Sequence, residues 1–143
     1  MDSLFAPQMA EAQVKAISNV GLAHLGDGVY ELLCRTYLCL NGDTTVKTLH
    51  KDTVSLVTAP TQARLSEAIL PMLTEEEAAF FRRGKNAHTH ASPKSATPKE
   101  YALATGLEAL FGALYLLGRR ERLNELFGTM MKAYQNTEDG HGI

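Results

Sequence analysis

The stretch from Asn19 to Asn41, NVGLAHLGDGVYELLCRTYLCLN, narrows the choice of fold more than any other part of the chain. Leu22, Leu25, Val29, Leu32, Leu33 and Thr36 recur at the three-and-four spacing of a buried helical stripe. Asp27 stands beside that stripe, between Gly26 and Gly28, and Glu31 lies one turn further on the same face. A glycine inside a helix costs roughly 1 kcal/mol relative to alanine. Two of them around an acid call for a reason, and the usual one is close approach by another backbone, a metal or a ligand. A helix that merely tolerates a solvated aspartate is the plain alternative. A partner elsewhere in the chain has to decide.

At 143 residues, 45% hydrophobic and 21% charged, the chain is expected to form one domain with a real core. No run reaches the roughly 18 apolar residues of a membrane span, and no leader pattern opens it, so a cytoplasmic protein is expected. Cys34 and Cys39 fall five residues apart on one helix, where they cannot meet in a disulfide, and read as core thiols. A formal net charge of −2 argues against a globally basic nucleic-acid binder but is silent on local patches.

Taken in order, Pro7 can open a short helix over residues 8–17, and Ser18 is an N-cap for the long helix. Asn41-Gly42 stops that helix, and Asp43-Thr44 can cap a second carrying Val46, Leu49, Thr53, Val54, Leu56 and Val57. Thr58 and Pro60 restart a third with Leu65, Ile69 and Leu70, ended by Pro71. Thr74-Glu75-Glu76-Glu77 forms a capping box, which accounts for the three glutamates better than a metal cluster does. The fourth helix passes Phe80 and Phe81 and is expected to run out at Gly84.

From Arg82 to Lys99 the chain reads RRGKNAHTHASPKSATPK, with five Lys or Arg, two His and no acid. Its Ser, Thr, Pro and Gly content marks a basic loop. Segregated positive charge in an acidic chain favours phosphate contact by Arg82, Arg83, Lys85, Asn86, Lys94 and Lys99 over a merely solvated loop. His88 and His90, two apart, are poorly spaced for a metal. Thr97-Pro98-Lys99-Glu100 then opens a fifth helix that buries Leu103, Leu107, Leu110, Phe111 and Leu114. Glu108 sits on its other face, with Ala104 and Gly112 one turn away on either side. A last amphipathic helix carries Leu123, Leu126, Phe127, Met130, Met131 and Tyr134, and the polar tail after Gln135 is expected to fray. No period-2 pattern occurs, so the reading is an all-α bundle of about six or seven helices.

Asp27 and Glu108 are thus two acids on two central helices, each set among small residues. Buried together they would repel unless a cation sat between them. Mg²⁺ takes one or two carboxylates and leaves its other positions to water and phosphate. With a basic loop directly ahead of the Glu108 helix, a phosphodiester substrate is expected. Spacing alone leaves an all-α nucleotide pyrophosphatase open. It also leaves a non-catalytic helical RNA-binding or ribosome-assembly module.

GLAHLGDGVYELL at Gly21 to Leu33 resembles the signature helix of the ribonuclease III catalytic domain, and TGLEALFGALYL at Thr105 to Leu116 resembles its second carboxylate helix. With RRGKNA at Arg82 to Ala87, the set resembles the mini-ribonuclease III branch, which lacks a double-stranded-RNA-binding domain. The resemblance spans residues 18–134, leaving 1–17 as an N-terminal segment and 135–143 as a flexible tail. It implies a ribonuclease III-like endonuclease domain acting as a homodimeric, Mg²⁺-dependent endoribonuclease on double-stranded RNA. Precursor 23S ribosomal RNA is the implied substrate, with 5′-phosphate and 3′-hydroxyl ends as products. Asp27 and Glu108 match the family's metal-binding, catalytic carboxylates, and Glu31 is a possible supporting acid. Larger members carry a glutamate where this chain has Ala23 and an aspartate where it has Thr105, gaps that the mini branch shares. Fewer ligands remain per site. The basic loop is then the expected RNA-binding element.

Overall fold

The structure is a computed structural model that describes residues 3–42, 44–87 and 95–139. Those residues form seven α-helices and one 3₁₀ turn, with no strand among them, as the periodicity requires. In chain order they are α1 (Glu11–Lys15), α2 (Asn19–Leu40), α3 (Val46–Val57), α4 (Ala59–Ile69), the 3₁₀ turn (Leu70–Met72), α5 (Glu75–Lys85), α6 (Pro98–Leu116) and α7 (Arg120–Asp139).

Helix α6 is the axle. It is apolar around its whole circumference, which in water requires neighbours on every side. Helices α2, α4, α5 and α7 supply them. Leu107, Ala109, Leu110, Phe111, Ala113 and Leu114 are fully enclosed as a result. The helix opens on the expected box: Thr97 Oγ1 accepts from the Glu100 N–H at 3.1 Å, and Glu100 accepts from the Thr97 N–H at 2.9 Å. It closes at Gly118, whose φ of +79° permits a Schellman turn, with Arg119 N–H on the Leu114 carbonyl at 2.9 Å.

Two glycine notches let α6 meet its neighbours backbone to backbone. A Cβ placed on Gly84 would lie 2.6 Å from the Thr105 carbonyl oxygen and 2.9 Å from Gly106 Cα. Gly84 is therefore a contact point inside α5 and not its end; the helix continues to Lys85. The second notch is tighter still, where Gly26 of α2 meets Gly112 and the Glu108 carbonyl.

Helix α2 buries a row spaced by four, Leu22, Gly26, Tyr30, Cys34 and Leu38, with Ala23 beside it. This corrects the expected stripe. Of Leu22, Leu25, Val29, Leu32, Leu33 and Thr36, only Leu22 is fully buried, while Leu32 is 53% exposed. The two rows are neighbours on the helix, and the apolar count alone does not say which one the protomer covers. Tyr30 anchors the buried row: its hydroxyl donates to the Leu56 carbonyl at 2.8 Å, and its ring meets Phe111 and Phe127 at 6.0 Å each. Burial pushes the Cys34 thiol up to about 12, so it behaves as an inert core group. Cys39 departs from the core-thiol expectation and is exposed.

Other differences are local. The opening helix is shorter than expected, and the N-terminal segment is instead strapped down by Met9 N–H on the Leu116 carbonyl at 2.8 Å and by buried Val14. Thr45, not Thr44, caps α3; Asp43 lies outside the described residues. Val46 and Val54 of α3 are exposed, whereas Thr53 and Leu56 are buried. Helix α7 continues past Gln135 to Asp139, with Arg64 donating to Thr137 at 2.8 Å, where fraying was expected. Glu77 does more than close its cap. Its carboxylate is 3% exposed and takes two hydrogen bonds from Arg122 at 2.9 Å, and Arg122 also donates to the Met72 carbonyl at 2.6 Å. That brace ties α7 to the α5 entrance.

Candidate active site

The α2–α6 notch makes the site. A Cβ on Gly26 would sit 1.5 Å from the Glu108 carbonyl oxygen, and one on Gly112 would sit 2.2 Å from the Leu22 carbonyl oxygen. Only hydrogen fits at either position. Residues on the rim of such a crossing are forced together, and Asp27 follows Gly26 while Glu108 lies one turn before Gly112. The Asp27 carboxylate acts directly on the Glu108 carboxyl across this crossing. Asp27 is exposed and Glu108 is half-buried, so the pair stands at the surface end of a buried crossing and not inside the core.

The electrostatics are unfavourable as they stand. Burial pushes the Glu108 carboxyl up to about 8, the Asp27 charge adds to the rise, and the nearby Gln62 amide opposes it. Neither acid has a salt-bridge partner among the described residues. No group of three or more His, Cys, Asp or Glu converges among the described residues. Two facing carboxylates without a cation of their own fit a hydrated divalent ion that needs one or two protein ligands. They do not fit a closed cage.

The remaining predicted residues divide. Glu31 does not join the pair; Arg35 holds its carboxylate at 3.0 Å. Ala23 and Thr105 are both buried, and Thr105 Oγ1 donates back to the Tyr101 carbonyl at 2.9 Å. Of the basic set, Arg82, Arg83 and Lys85 lie on α5, which runs one residue past its expected end at Gly84, and Lys99 lies in the first turn of α6, as its capping box predicts. Arg82, Lys85, Asn86 and Lys99 are exposed. Arg83 is engaged by the protein itself, with Nε on Asn19 Oδ1 and Nη2 on the Ile17 carbonyl, both at 2.6 Å, and its guanidinium over the Phe80 ring. It pins α5 to the start of α2. Lys94, His88 and His90 lie outside the described residues. The Gly84–Gly106 notch carries the basic end of α5 to within two residues of Glu108 along α6.

One site residue escaped the sequence reading. Gln62 of α4 is 2% exposed, donates to the Val57 carbonyl at 2.9 Å and opposes the rise of the Glu108 carboxyl. Its signal was its place on the stripe that holds Leu65 and Ile69, where a polar side chain needs an explanation.

Comparison with known proteins gives the family. The family described as Ribonuclease III domain matches residues 20–119, which include both acids and both notches. The chain belongs to the ribonuclease III domain family. Within it, the chain is 37% identical to the mini-ribonuclease 3 of Clostridium tetani over 94% of this chain and 90% of that one. It is 48% identical to the mini-ribonuclease 3 of Symbiobacterium thermophilum over 73% and 81% of the two chains. A crystal structure of a Fusobacterium nucleatum protein superposes with a TM-score of 0.75 at 34% identity, covering 85% of this chain and 98% of that one. This ribonuclease III-type chain is an endoribonuclease of the mini-ribonuclease 3 kind. The pyrophosphatase and non-catalytic alternatives fall with that assignment. No helix among its described residues is long and apolar enough to cross a membrane.

Proposed function

We propose that this endoribonuclease is a cytoplasmic homodimer that cuts double-stranded RNA, with precursor 23S ribosomal RNA as its substrate, using Mg²⁺ held by Asp27 and Glu108. The observation that carries the reading is the pairing of two carboxylates across the Gly26–Gly112 crossing with no cation of their own. When bound, Mg²⁺ supplies an activated water for attack on phosphorus and positive charge against the leaving oxygen. Asp27 contributes the exposed ligand, open to a phosphate. Glu108 contributes the half-buried one, fixed in direction by the helix crossing. Water adds to phosphorus as the bond to the 3′ oxygen breaks, leaving 5′-phosphate and 3′-hydroxyl ends. Glu31 enters only as a supporting acid one turn away.

RNA duplexes are recognised through backbone and shape, so the basic residues serve affinity more than sequence choice. Arg82, Lys85, Asn86 and Lys99 offer free side chains to phosphates, and Lys94 is proposed with them. Arg83 acts from beneath, by fixing the end of α5 on which Arg82 and Lys85 stand. Two strands need two cuts, and a two-fold dimer supplies two sites in the right relation. The surface that fits this is the uncovered apolar face of α2, where Leu25, Gly28, Val29 and Leu32 line a groove of about 390 Å³ with Phe5 and Tyr115.

The test is single-turnover cleavage of a long RNA duplex by Asp27→Asn and Glu108→Gln. Both substitutions keep shape and remove an anionic ligand, so folding, dimerisation and duplex binding should survive. Cleavage should fall by a factor on the order of 10³ or more, since the lost interaction matters most in the transition state. Near-wild-type cleavage by folded Asp27→Asn protein would overturn the proposal.

A further inference from the structure

Helices α2, α5 and α6 form a triangle around the carboxylate pair, and its three sides are closed in different ways. Helix α2 meets α6 backbone to backbone at Gly26 and Gly112. Helix α5 meets the turn of α6 that carries Glu108 in the same manner. A Cβ on Gly84 would lie 2.5 Å from Ala109 Cβ and 2.6 Å from the Thr105 carbonyl oxygen, and one on Gly106 would lie 2.9 Å from the Phe81 carbonyl oxygen. The third side, between α2 and α5, has far less packing than either of these. Arg83 spans it. Its Nε donates to Oδ1 of Asn19, the first residue of α2, and its Nη2 donates to the Ile17 carbonyl in the link before that helix, both at 2.6 Å. Its guanidinium also lies 5.8 Å from the centroid of the buried Phe80 ring of α5.

Two features separate this strut from an ordinary surface brace. The first is its acceptors. Arg119 and Arg122 are paired with Glu76 and Glu77, whereas Arg83 donates to an amide oxygen and a carbonyl and has no salt bridge among the described residues. Neutral acceptors fix the direction of a guanidinium without cancelling its charge. The second is its place. Arg83 lies between Arg82 and Lys85, whose exposed side chains share the last turn of α5. That turn is thus fastened to both acid-bearing helices, at Asn19, eight residues before Asp27, and at Gly106, two residues before Glu108.

We infer that Arg83, with Asn19 as its receiver, is a positioning residue that holds the end of α5 at a set distance from the carboxylate pair and so selects which phosphodiester bond is cut. The inference rests on the proposed reading of that end as an RNA contact and of Asp27 and Glu108 as the site of cleavage. A phosphate gripped by Arg82 and Lys85 places a second phosphate, further along the strand, at the pair. A shift of about 1 Å in that placement can cost about 10²-fold in rate.

The experiment follows single-turnover cleavage of one synthetic RNA duplex by the full chain with Mg²⁺, end-labelled so that every cut position is read, over a range of enzyme concentrations. Arg83→Lys keeps the charge but not the planar fork that reaches both acceptors. Asn19→Ala removes one acceptor and leaves α5 intact, and serves if the lysine variant does not fold. For either folded variant the rate at saturating enzyme is expected to fall about tenfold or more, with cuts spread to neighbouring phosphodiesters. The half-saturating enzyme concentration should stay near the wild-type value. A lower melting temperature with wild-type saturating rate and cut positions would make Arg83 a structural brace and overturn the inference. So would wild-type cleavage by Arg83→Lys together with weaker binding and a salt slope flatter by roughly 0.7–0.9 in Arg83→Met, the signature of a phosphate contact in its own right. Replacing both Arg82 and Lys85 by alanine separates the two layers. If duplex affinity and its salt dependence are unchanged, the RNA reading of α5 fails and takes Arg83 with it; if binding weakens while Arg83→Lys and Asn19→Ala cut as the wild type does, only the role of Arg83 fails.

Discussion

Helix α2 presents two adjacent apolar rows that the protomer treats in opposite ways. The row Leu22, Gly26, Tyr30, Cys34 and Leu38 is sealed against α6 and its neighbours, down to backbone contact at Gly26. The row Leu25, Val29, Leu32 and Thr36, one step round the helix, is left half-covered or open above a groove. The two glycines flanking Asp27 belong one to each. A Cβ on Gly26 would collide with the Glu108 backbone, whereas a Cβ on Gly28 would meet nothing within 4 Å. Asp27 sits on the boundary between a face that builds the site and a face the protomer leaves unfinished. Glycine thus has two different reasons to be there, close packing in one case and a bare surface in the other.

The sealed row should be the fragile one. Gly26→Ala forces α2 and α6 apart where neither backbone can yield without moving Glu108. Overpacking a tight core costs about 1–3 kcal/mol and occasionally more, and a 1.5 Å approach to a main-chain oxygen belongs at the upper end. The expectation is a loss of at least about 3 kcal/mol in chemical denaturation, together with loss of cleavage in whatever folds. Stability within 1 kcal/mol of wild type would mean that the crossing has slack the geometry does not show.

On the open row the expected effect is on association, not on folding. Leu32 is 53% exposed in the protomer, so Leu32→Glu removes little from the core. In a two-fold dimer the same patch lies on both subunits, so one substitution introduces two charges into an apolar contact. Dimerisation should weaken by roughly a hundredfold or more, at about 1–3 kcal/mol per charge left without a partner. Light scattering at micromolar concentration would read this as a monomer with a wild-type circular dichroism spectrum. A variant that remains a dimer would move the interface off this row.

How far these differences could be read in advance varies with their physical cause. Helix starts were legible because a cap is a local event: Ser18, Thr58, Thr74 and Thr97 each accept from the N–H three residues on. The all-α class followed from period alone. Asp27 and Glu108 stood out because small residues around an acid are unusual in a core helix. Which row of α2 would be covered did not follow, since hydrophobicity marks both and only the crossing at Gly26 chooses. Gly84 looked like a stop for the same reason: a glycine that ends a helix and one that admits a neighbour are identical in sequence. Arg83 was grouped with free cations, yet its partners at Asn19 and Ile17 lie more than 60 residues away, beyond any local pattern.

The smallest effect is expected at Gly28, and it gives the sharpest test of what covers the open row. Alanine is favoured over glycine inside a helix by about 0.8–1 kcal/mol, through reduced backbone freedom in the unfolded chain. In the protomer nothing stands in the way of the added methyl. In the monomeric Leu32→Glu background, Gly28→Ala should therefore raise unfolding stability by roughly 0.5–1 kcal/mol. In the otherwise wild-type chain the same methyl would project into the groove that a second copy is proposed to fill, and the gain should vanish or reverse. The difference between the two backgrounds is a coupling energy, measured by denaturant titration at a protein concentration where the wild type is dimeric. An equal gain in both would show that Gly28 faces solvent in the assembled protein, and the contact between subunits would then have to lie elsewhere on the molecule.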